Sequence, residues 1–416
     1  MNRFFNKISE KTGLDSKYFI KNFFVILIRD ILTTLIGLVM GMIFARYVTK
    51  DVYGNYQLVL SFIATFGFLT LPGFNKGGIW SDAATDKDGS IDIVIKTQIR
   101  WSFLGTLILF CIGLKYYMLN DNPEIALGLL VAGFTFPLAI GGDIWQQFLE
   151  SKKEYELVAK LYLGFTIVSK IAIITAIFAF PNSLVAILIA SLGTAMLGNL
   201  TGLIIARKFK KNNESSEDLR HYGMFLTKIS ILRTLVSKID QLMVGIFLGP
   251  VQLAIYSFAE IIPEQIKMMI GNVANILIPK IVENSQSDVQ KKISQQFLGI
   301  LLVSTLSIGI CIALTPLAIT ILFTEDYAES IIYSQIITAG MIVYVFEVIF
   351  SKIILVKKHK QAILVAQIIT PLGRVVSVTI GFIALGMLGV AIGTVGARII
   401  AFLTYMYVAR KTSNSH

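Results

Sequence analysis

Apolar residues run along this chain in blocks of roughly 20, enough as helix to cross a hydrocarbon layer about 30 Å thick. Short polar connections separate the blocks, which predict twelve spans over 22–46, 56–73, 100–119, 125–148, 158–180, 183–206, 224–248, 252–278, 297–323, 331–351, 361–384 and 387–409. Soluble core helices are shorter and carry one polar face, which these blocks lack. Pro137, Pro263, Pro316 and Pro371 fall inside spans, where kinks or breaks are expected. The predicted fold class is an all-α polytopic membrane protein.

Composition agrees: 55% of residues are hydrophobic and only 15% charged, too few to coat a soluble domain of 416 residues. Cys111 and Cys311 both lie in predicted spans, so no disulfide framework is expected. The N-terminal stretch 1–21 is basic and weakly amphipathic without a cleavage site. It reads either as a short helix on the cytoplasmic surface or as a frayed tail.

Lysines and arginines in the connections orient the spans. The N-terminus and every second connection are basic: Lys76, Lys87, Lys96 and Arg100, then Lys152, Lys153 and Lys160, then a central run from Arg207 to Arg220. Lys280, Lys291 and Lys292 follow, then Lys352, Lys357, Lys358 and Lys360, and finally Arg410 and Lys411. The opposite connections hold only Arg46, Lys50 and Lys115, and two of them are acidic, "LNDNPE" and "FTEDYAES". Both termini are therefore expected in the cytoplasm. The net charge of +11 is mostly membrane orientation, and no nucleic-acid module is recognisable among the dispersed basic residues.

The polar run "RKFKKNNESSEDLRHYG" divides the chain and reads as a flexible linker, 207–223, between lobes 1–206 and 224–416. The halves resemble each other: "GMIFARYVTKDVYGNY" (41–56) aligns without gaps on "VGIFLGPVQLAIYSFA" (244–259), and "IIARK" (204–208) matches "YVARK" (407–411) at the same offset. "SKKEYELVAK" echoes "VKKHKQAILVAQ". Six spans per half insert the same way up, so the repeat is parallel, an arrangement common in alternating-access transporters.

Eight cations fall inside spans: Arg29, Lys170, Lys228, Arg233, Lys238, Lys267, Arg374 and Arg398. The intramembrane acids are Asp30, Asp143, Asp240, Glu260, Glu264 and Glu347. Each cation costs about 2.5–3.5 kcal/mol at a helix centre, so they must face partners or a wet cavity. Arg233, Ser237 and Asp240 share one face of span 7; Glu260, Glu264 and Lys267 repeat the device in span 8, across a hairpin turning at "LGP" (248–250). Depth counted from that turn places Lys238 beside Glu260 and Arg233 near Glu264. Two readings stay open: paired ions holding helices in register, or groups for ion coupling, among which Asp30 also counts. Lys170 and Arg374 occupy comparable stretches of the repeats on spans without an acid, and surplus cations suit an anionic phosphate or pyrophosphate. At the end of span 4, Asp143, Gln146 and Gln147 lie beside Trp145, a set able to bind and stack on sugars or to act as an interfacial anchor.

"KIDQLMVGIFLGPVQLAIYSFAE" (238–260) and "IFARYVTKDVYGNYQLVLSFIATFG" (43–67) resemble stretches of polysaccharide flippases of the multidrug/oligosaccharidyl-lipid/polysaccharide superfamily. The resemblance implies two pseudo-symmetric six-helix lobes around a central cavity in the bacterial cytoplasmic membrane. It also implies an undecaprenyl-pyrophosphate-linked oligosaccharide as cargo, of the O-antigen type, moved by alternating access without ATP. Asp240 lies in the matching "ID", with Lys238 adjacent; Arg29, Lys170, Arg233 and Arg374 are assigned to the pyrophosphate by chemistry alone. In "LPGFNKGGIW" (71–80) Lys76 stands where such proteins often carry arginine soon after the glycine. Partners expected are membrane lipids, H+ or Na+ as coupling ion, and other polysaccharide-assembly membrane proteins. A drug or metabolite exporter of the same superfamily is the rival, although its cationic cargo prefers an acidic, aromatic cavity. A membrane glycan polymerase, ligase or acyltransferase is disfavoured: there is no P-loop, zinc spacing or nucleophile motif, and His221, His359 and His416 all fall in cytoplasmic segments. No catalytic residue, metal or cofactor is assigned.

Overall fold

The computed structural model describes residues 16–79, 82–83, 85–119, 122–216, 218–283, 286–356 and 360–413. The side chains of 16–23, 76–78, 275–294, 355–361, 412 and 413 are not described, so Lys76 and most of the N-terminal stretch 1–21 lie outside the described residues.

Helix dominates. The elements are α1 (Ser16–Tyr47), α2 (Lys50–Phe66), α3 (Ser90–Leu119), α4 (Pro123–Ala139), α5 (Ile144–Ser151), α6 (Tyr155–Ala179), α7 (Leu184–Leu188) and α8 (Thr194–Arg207). There follow α9 (Leu219–Leu235), α10 (Ile239–Met243), α11 (Pro250–Glu283), α12 (Gln286–Phe323), α13 (Ser330–Ala339), α14 (Met341–Val356) and α15 (Lys360–Ser413). Local chemistry sets several ends. Thr49, Asn122 and Ser183 cap α2, α4 and α7 by accepting from the backbone N–H of Val52, Ile125 and Ala186. Gly249, at φ +96°, turns the chain into α11, which opens on Pro250.

Among the described residues, nine helical stretches are long and apolar enough to cross a membrane. The expected twelve spans and these nine differ for physical reasons. The seventh block breaks at 236–238 into α9 and α10, and the eighth, α11, carries Glu260, Glu264 and Lys267. The last two blocks run together as α15, interrupted where Leu385 and Gly386 leave helical geometry. The fourth turns at 140–143 between α4 and α5 and still counts as one of the nine, Pro123–Ser151. Large apolar side chains face outward, including Phe134 (74% exposed), Leu306 (70%) and Ile383 (78%). Water would not tolerate so many; lipid does.

The chain forms two compact units, Met1–Ile43 with Leu69–Lys228, and Phe44–Phe68 with Ile229–His416. Helix α2 thus belongs to the second unit, where it packs along α11. The approach is so close that a Cβ on Gly54 would overlap the Pro250 carbonyl. In the first unit the core gathers Phe74, Ile79, Ile91, Trp145, Phe148 and Leu203.

The central polar run is not a free tether. Asp82 accepts from the Ser216 N–H and Oγ–H (2.9 and 2.6 Å), and Asp88 from the Lys211 N–H (2.7 Å). The Asn212 Oδ1 accepts from the Asp88 N–H, and the Glu214 carbonyl from the Gly89 N–H. Lys152 Nζ lies 2.6 Å from Asp88 and 3.1 Å from Asp86, while Arg207 and Lys210 both reach Asp92. Residues 208–216 are clasped to 82–92 within the first unit, which corrects the expectation of flexibility there.

Candidate functional site

A cavity of about 680 Å³ lies within the second unit, walled by α9, α11, α14 and α15. It gathers charges the sequence places on separate spans. At its inner end the fully buried Asp240 carboxylate accepts from the Gln241 N–H (3.0 Å), the Tyr256 hydroxyl (3.3 Å) and Arg374 Nη2 (2.8 Å). Glu260 accepts from the Gln241 amide and lies 3.9 Å from Lys238 Nζ, the partner the depth count anticipates. The other face of Gln241 accepts from Ser61 (2.7 Å), which ties α2 to this network. Glu264 is held by Lys267, one turn on, at 2.7 and 3.0 Å, and not by Arg233.

Four further charged groups line the cavity, Arg233, Glu347, Lys352 and Arg398. Arg233, Arg398 and Glu347 form no hydrogen bond or ion pair with one another or with any other described residue. The Arg398 guanidinium lies 4.9 Å over the Tyr344 ring, and its Nε is buried without a partner. Cations and carboxylates are nearly balanced on the lining, with Arg233, Lys267, Lys352, Arg374 and Arg398 facing Asp240, Glu260, Glu264 and Glu347. Arg374 and Lys238 both have carboxylate neighbours from adjacent elements.

In the first unit, Arg29 hydrogen-bonds to Asp30 (3.0 and 2.9 Å) and lies 5.3 Å over the Tyr162 ring. Lys170, half-buried on α6, has no ion-pair partner among the described residues. Asp143 accepts from Asn75 (2.9 Å), whose own Oδ1 accepts from Gln98 (2.6 Å). Trp145 is 1% exposed, donates its indole N–H to Asn199 (3.1 Å) and meets Phe165 edge-on, so the stacking role expected of it has no open ring face. Gln146 is half-buried beside it.

Sequence reasoning left Glu347 and Arg398 without a role. The signal was there, a charge in each of two apolar spans, but their meeting at one cavity depends on how α14 and α15 pack. The neutral groups of this network, Gln241 and Tyr256 on the carboxylates and Ser61 on Gln241, carry no such signal.

This fold is shared with solved transporters. A multidrug resistance MATE family transporter of the MOP superfamily, in an inward-facing conformation, superposes with a TM-score of 0.70 at 13% identity, covering 92% of this chain and 95% of that one. The lipid II flippase MurJ, in an inward closed conformation, gives 0.64 at 15% identity over 92% and 87%. A MOP superfamily transporter from Pyrococcus furiosus, described as having a binding pocket of reversed polarity, gives 0.65 at 13% identity over 96% of each chain. Comparison with curated protein sequences gives no match. Residues 19–285 match the profile described as polysaccharide biosynthesis protein. More than half of this chain is covered by that match, and the chain belongs to the polysaccharide biosynthesis protein family.

Proposed function

We propose that this protein is a flippase that carries an undecaprenyl-pyrophosphate-linked oligosaccharide, an O-antigen or related surface-polysaccharide repeat unit, across the bacterial cytoplasmic membrane. The observation that carries the reading is the pair of arginines, Arg233 and Arg398, which line the cavity of the second unit with no carboxylate in hydrogen-bond or ion-pair contact among the described residues. Arg233 is exposed and Arg398 half-buried on the cavity lining, so both guanidiniums are open to an anion, and a pyrophosphate supplies one. Lys170 is a further candidate for the headgroup. Arg29, Lys238 and Arg374, already near acids, act first as internal partners and exchange them for phosphate only if the cargo displaces a carboxylate.

In this reading twelve spans form two six-helix lobes, 1–206 and 224–416, joined by 207–223, with both termini cytoplasmic. The prenyl tail stays in lipid while the lobes alternate access, and H+ or Na+ coupling runs through Asp240, Glu260 or Glu264. Other polysaccharide-assembly membrane proteins deliver and receive the cargo. The likeness to MATE transporters favours a second reading, export of a drug or metabolite, and one experiment separates them. Liposomes containing the protein and a fluorescent lipid-linked oligosaccharide are scored for accessibility to an external glycan-cleaving enzyme. Protein-dependent exposure that is lost in Arg233→Glu and Lys170→Glu is the expected result. Efflux of a cationic dye with no exposure of the lipid would support the exporter.

A further inference from the structure

Glu347 poses a problem that phosphate binding alone does not solve. It lines the same cavity as Arg233 and Arg398, on a helix between theirs in chain order, so an anion drawn into the cavity by the two guanidiniums also meets a carboxylate. The other acids of the cavity are occupied: Asp240 by Arg374, Tyr256 and Gln241; Glu260 by Gln241; Glu264 by Lys267. Glu347 has no hydrogen bond among the described residues, although Arg398, Arg233, Lys267 and Arg374 all act on it electrostatically. Arg398 is in turn engaged electrostatically by Glu347 and Glu264 and is stacked on Tyr344.

A carboxylate accepts hydrogen bonds and does not donate them. A ligand that satisfies the whole wall must therefore present anionic oxygens to Arg233 and Arg398 and, a few ångströms away, an O–H or N–H to Glu347. A phosphate esterified to a sugar has that arrangement, because the ring carries hydroxyl or amide donors next to the phosphoester. A fully ionised phosphate ester without a sugar, such as a prenyl diphosphate, brings charge but no donor, and leaves Glu347 both unsatisfied and repelled. The space, about 680 Å³, falls within the usual range for a small-ligand site.

We infer that Glu347 is the specificity-determining residue of this cavity, which takes a glycosyl phosphate and discriminates through that carboxylate against anions lacking the sugar. The inference rests on the flippase reading for its purpose: a carrier would load glycosylated lipid and refuse the bare one. Discrimination here combines attraction with a built-in repulsion, the two routes by which a site separates related ligands.

The test uses the purified full-length protein in detergent, with glucose 1-phosphate and methyl phosphate as probes in calorimetric titrations at one ionic strength and about pH 8, where both esters are dianions and only the sugar brings a donor. Wild type should prefer glucose 1-phosphate by about tenfold or more, as sites that hydrogen-bond a ligand group do against analogues lacking it. Glu347→Gln should bind methyl phosphate about tenfold more tightly and shrink the preference to about twofold. Glu347→Asp, which keeps the charge, should retain most of it. Equal wild-type affinity for the two probes, binding of neither, or an unchanged ratio in Glu347→Gln would overturn the inference, and the wild-type comparison alone decides it should the variants fail to fold. Flipping of lipid-linked oligosaccharide without discrimination sinks this inference and leaves the flippase reading standing. Discrimination without flipping does the reverse.

Discussion

The two units use charge in opposite ways. In the first, carboxylates gather in the connection 82–92, and nearly every one is answered: Asp82 by Ser216, Asp88 by Lys152 and the Lys211 N–H, Asp92 by Arg207 and Lys210. In the second, charges sit within helices around a cavity, and the matching stops short, leaving Arg233, Arg398 and Glu347. Matched charges fix a chain in place. Unmatched ones on the wall of a cavity are available to a visitor.

The comparison breaks most sharply at Asp240. Its carboxylate is fully buried and holds Arg374 at 2.8 Å, so Asp240→Ala strands a guanidinium whose Nε already lacks a partner. Removing one member of a buried pair costs about 3–5 kcal/mol, while replacing both by apolar residues is often neutral. Thermal unfolding in detergent should show a large loss for Asp240→Ala and substantial recovery in Asp240→Leu with Arg374→Met. A double variant as unstable as the single one would mean that Asp240 serves chiefly through Gln241 and Tyr256.

That network also marks how far the sequence could be read. Helical class and the course of most spans follow from the apolar blocks, because lipid imposes length and polarity on each span separately. The pairing of Lys238 with Glu260 was legible as well, since both flank one hairpin and depth can be counted from its turn. Arg374 with Asp240 was not: the two are 134 positions apart, and no local rule brings α15 against α10. Trp145 misled for a related reason. A tryptophan near a span end reads as interfacial or sugar-stacking, whereas here Asn199 and Phe165 draw it into the core.

A smaller effect sharpens the packing side of the second unit. Helix α2 meets α11 where Gly54 leaves no room for a side chain beside Pro250. Gly54→Val must push the helices apart or bend them, and overpacking of this kind costs about 1–3 kcal/mol. Because Ser61 on α2 also supports Gln241, the variant should weaken phosphate binding as well as lower the unfolding temperature. Loss of stability with unaltered binding would show that α2 acts only as packing.

The clasp of the first unit should respond locally. Asp88→Asn removes the carboxylate that Lys152 approaches at 2.6 Å in a site closed to solvent. An unmet buried polar group costs about 1–3 kcal/mol. The expected readout is faster proteolysis at 208–216, with phosphate binding by the second unit unchanged. Equal proteolysis of variant and wild type would make the clasp incidental.

Asp86 supplies the weakest effect and the cleanest control, because it contacts the same lysine as Asp88 from an exposed position. The hydrogen bond and charge of Lys152 hold its carboxyl below the ordinary aspartate value of 3.8. A depressed carboxylate contributes stability that is present above its unfolded value and disappears as pH falls through the folded one, here below pH 3.8. For Lys152 burial works against the charge, but Asp88 and Asp86 outweigh it and lift the ammonium above its ordinary 10.5, so its contribution is lost only above that pH. Neither group changes charge near neutrality. Solvent screens Asp86, whose side chain is 78% exposed. Asp86→Asn should therefore unfold at the wild-type temperature at every pH from about 5 to 9, while Asp88→Asn is displaced throughout. A matching displacement in Asp86→Asn would mean that the clasp depends on the total negative charge around Lys152, and that burial is not what separates its two carboxylates.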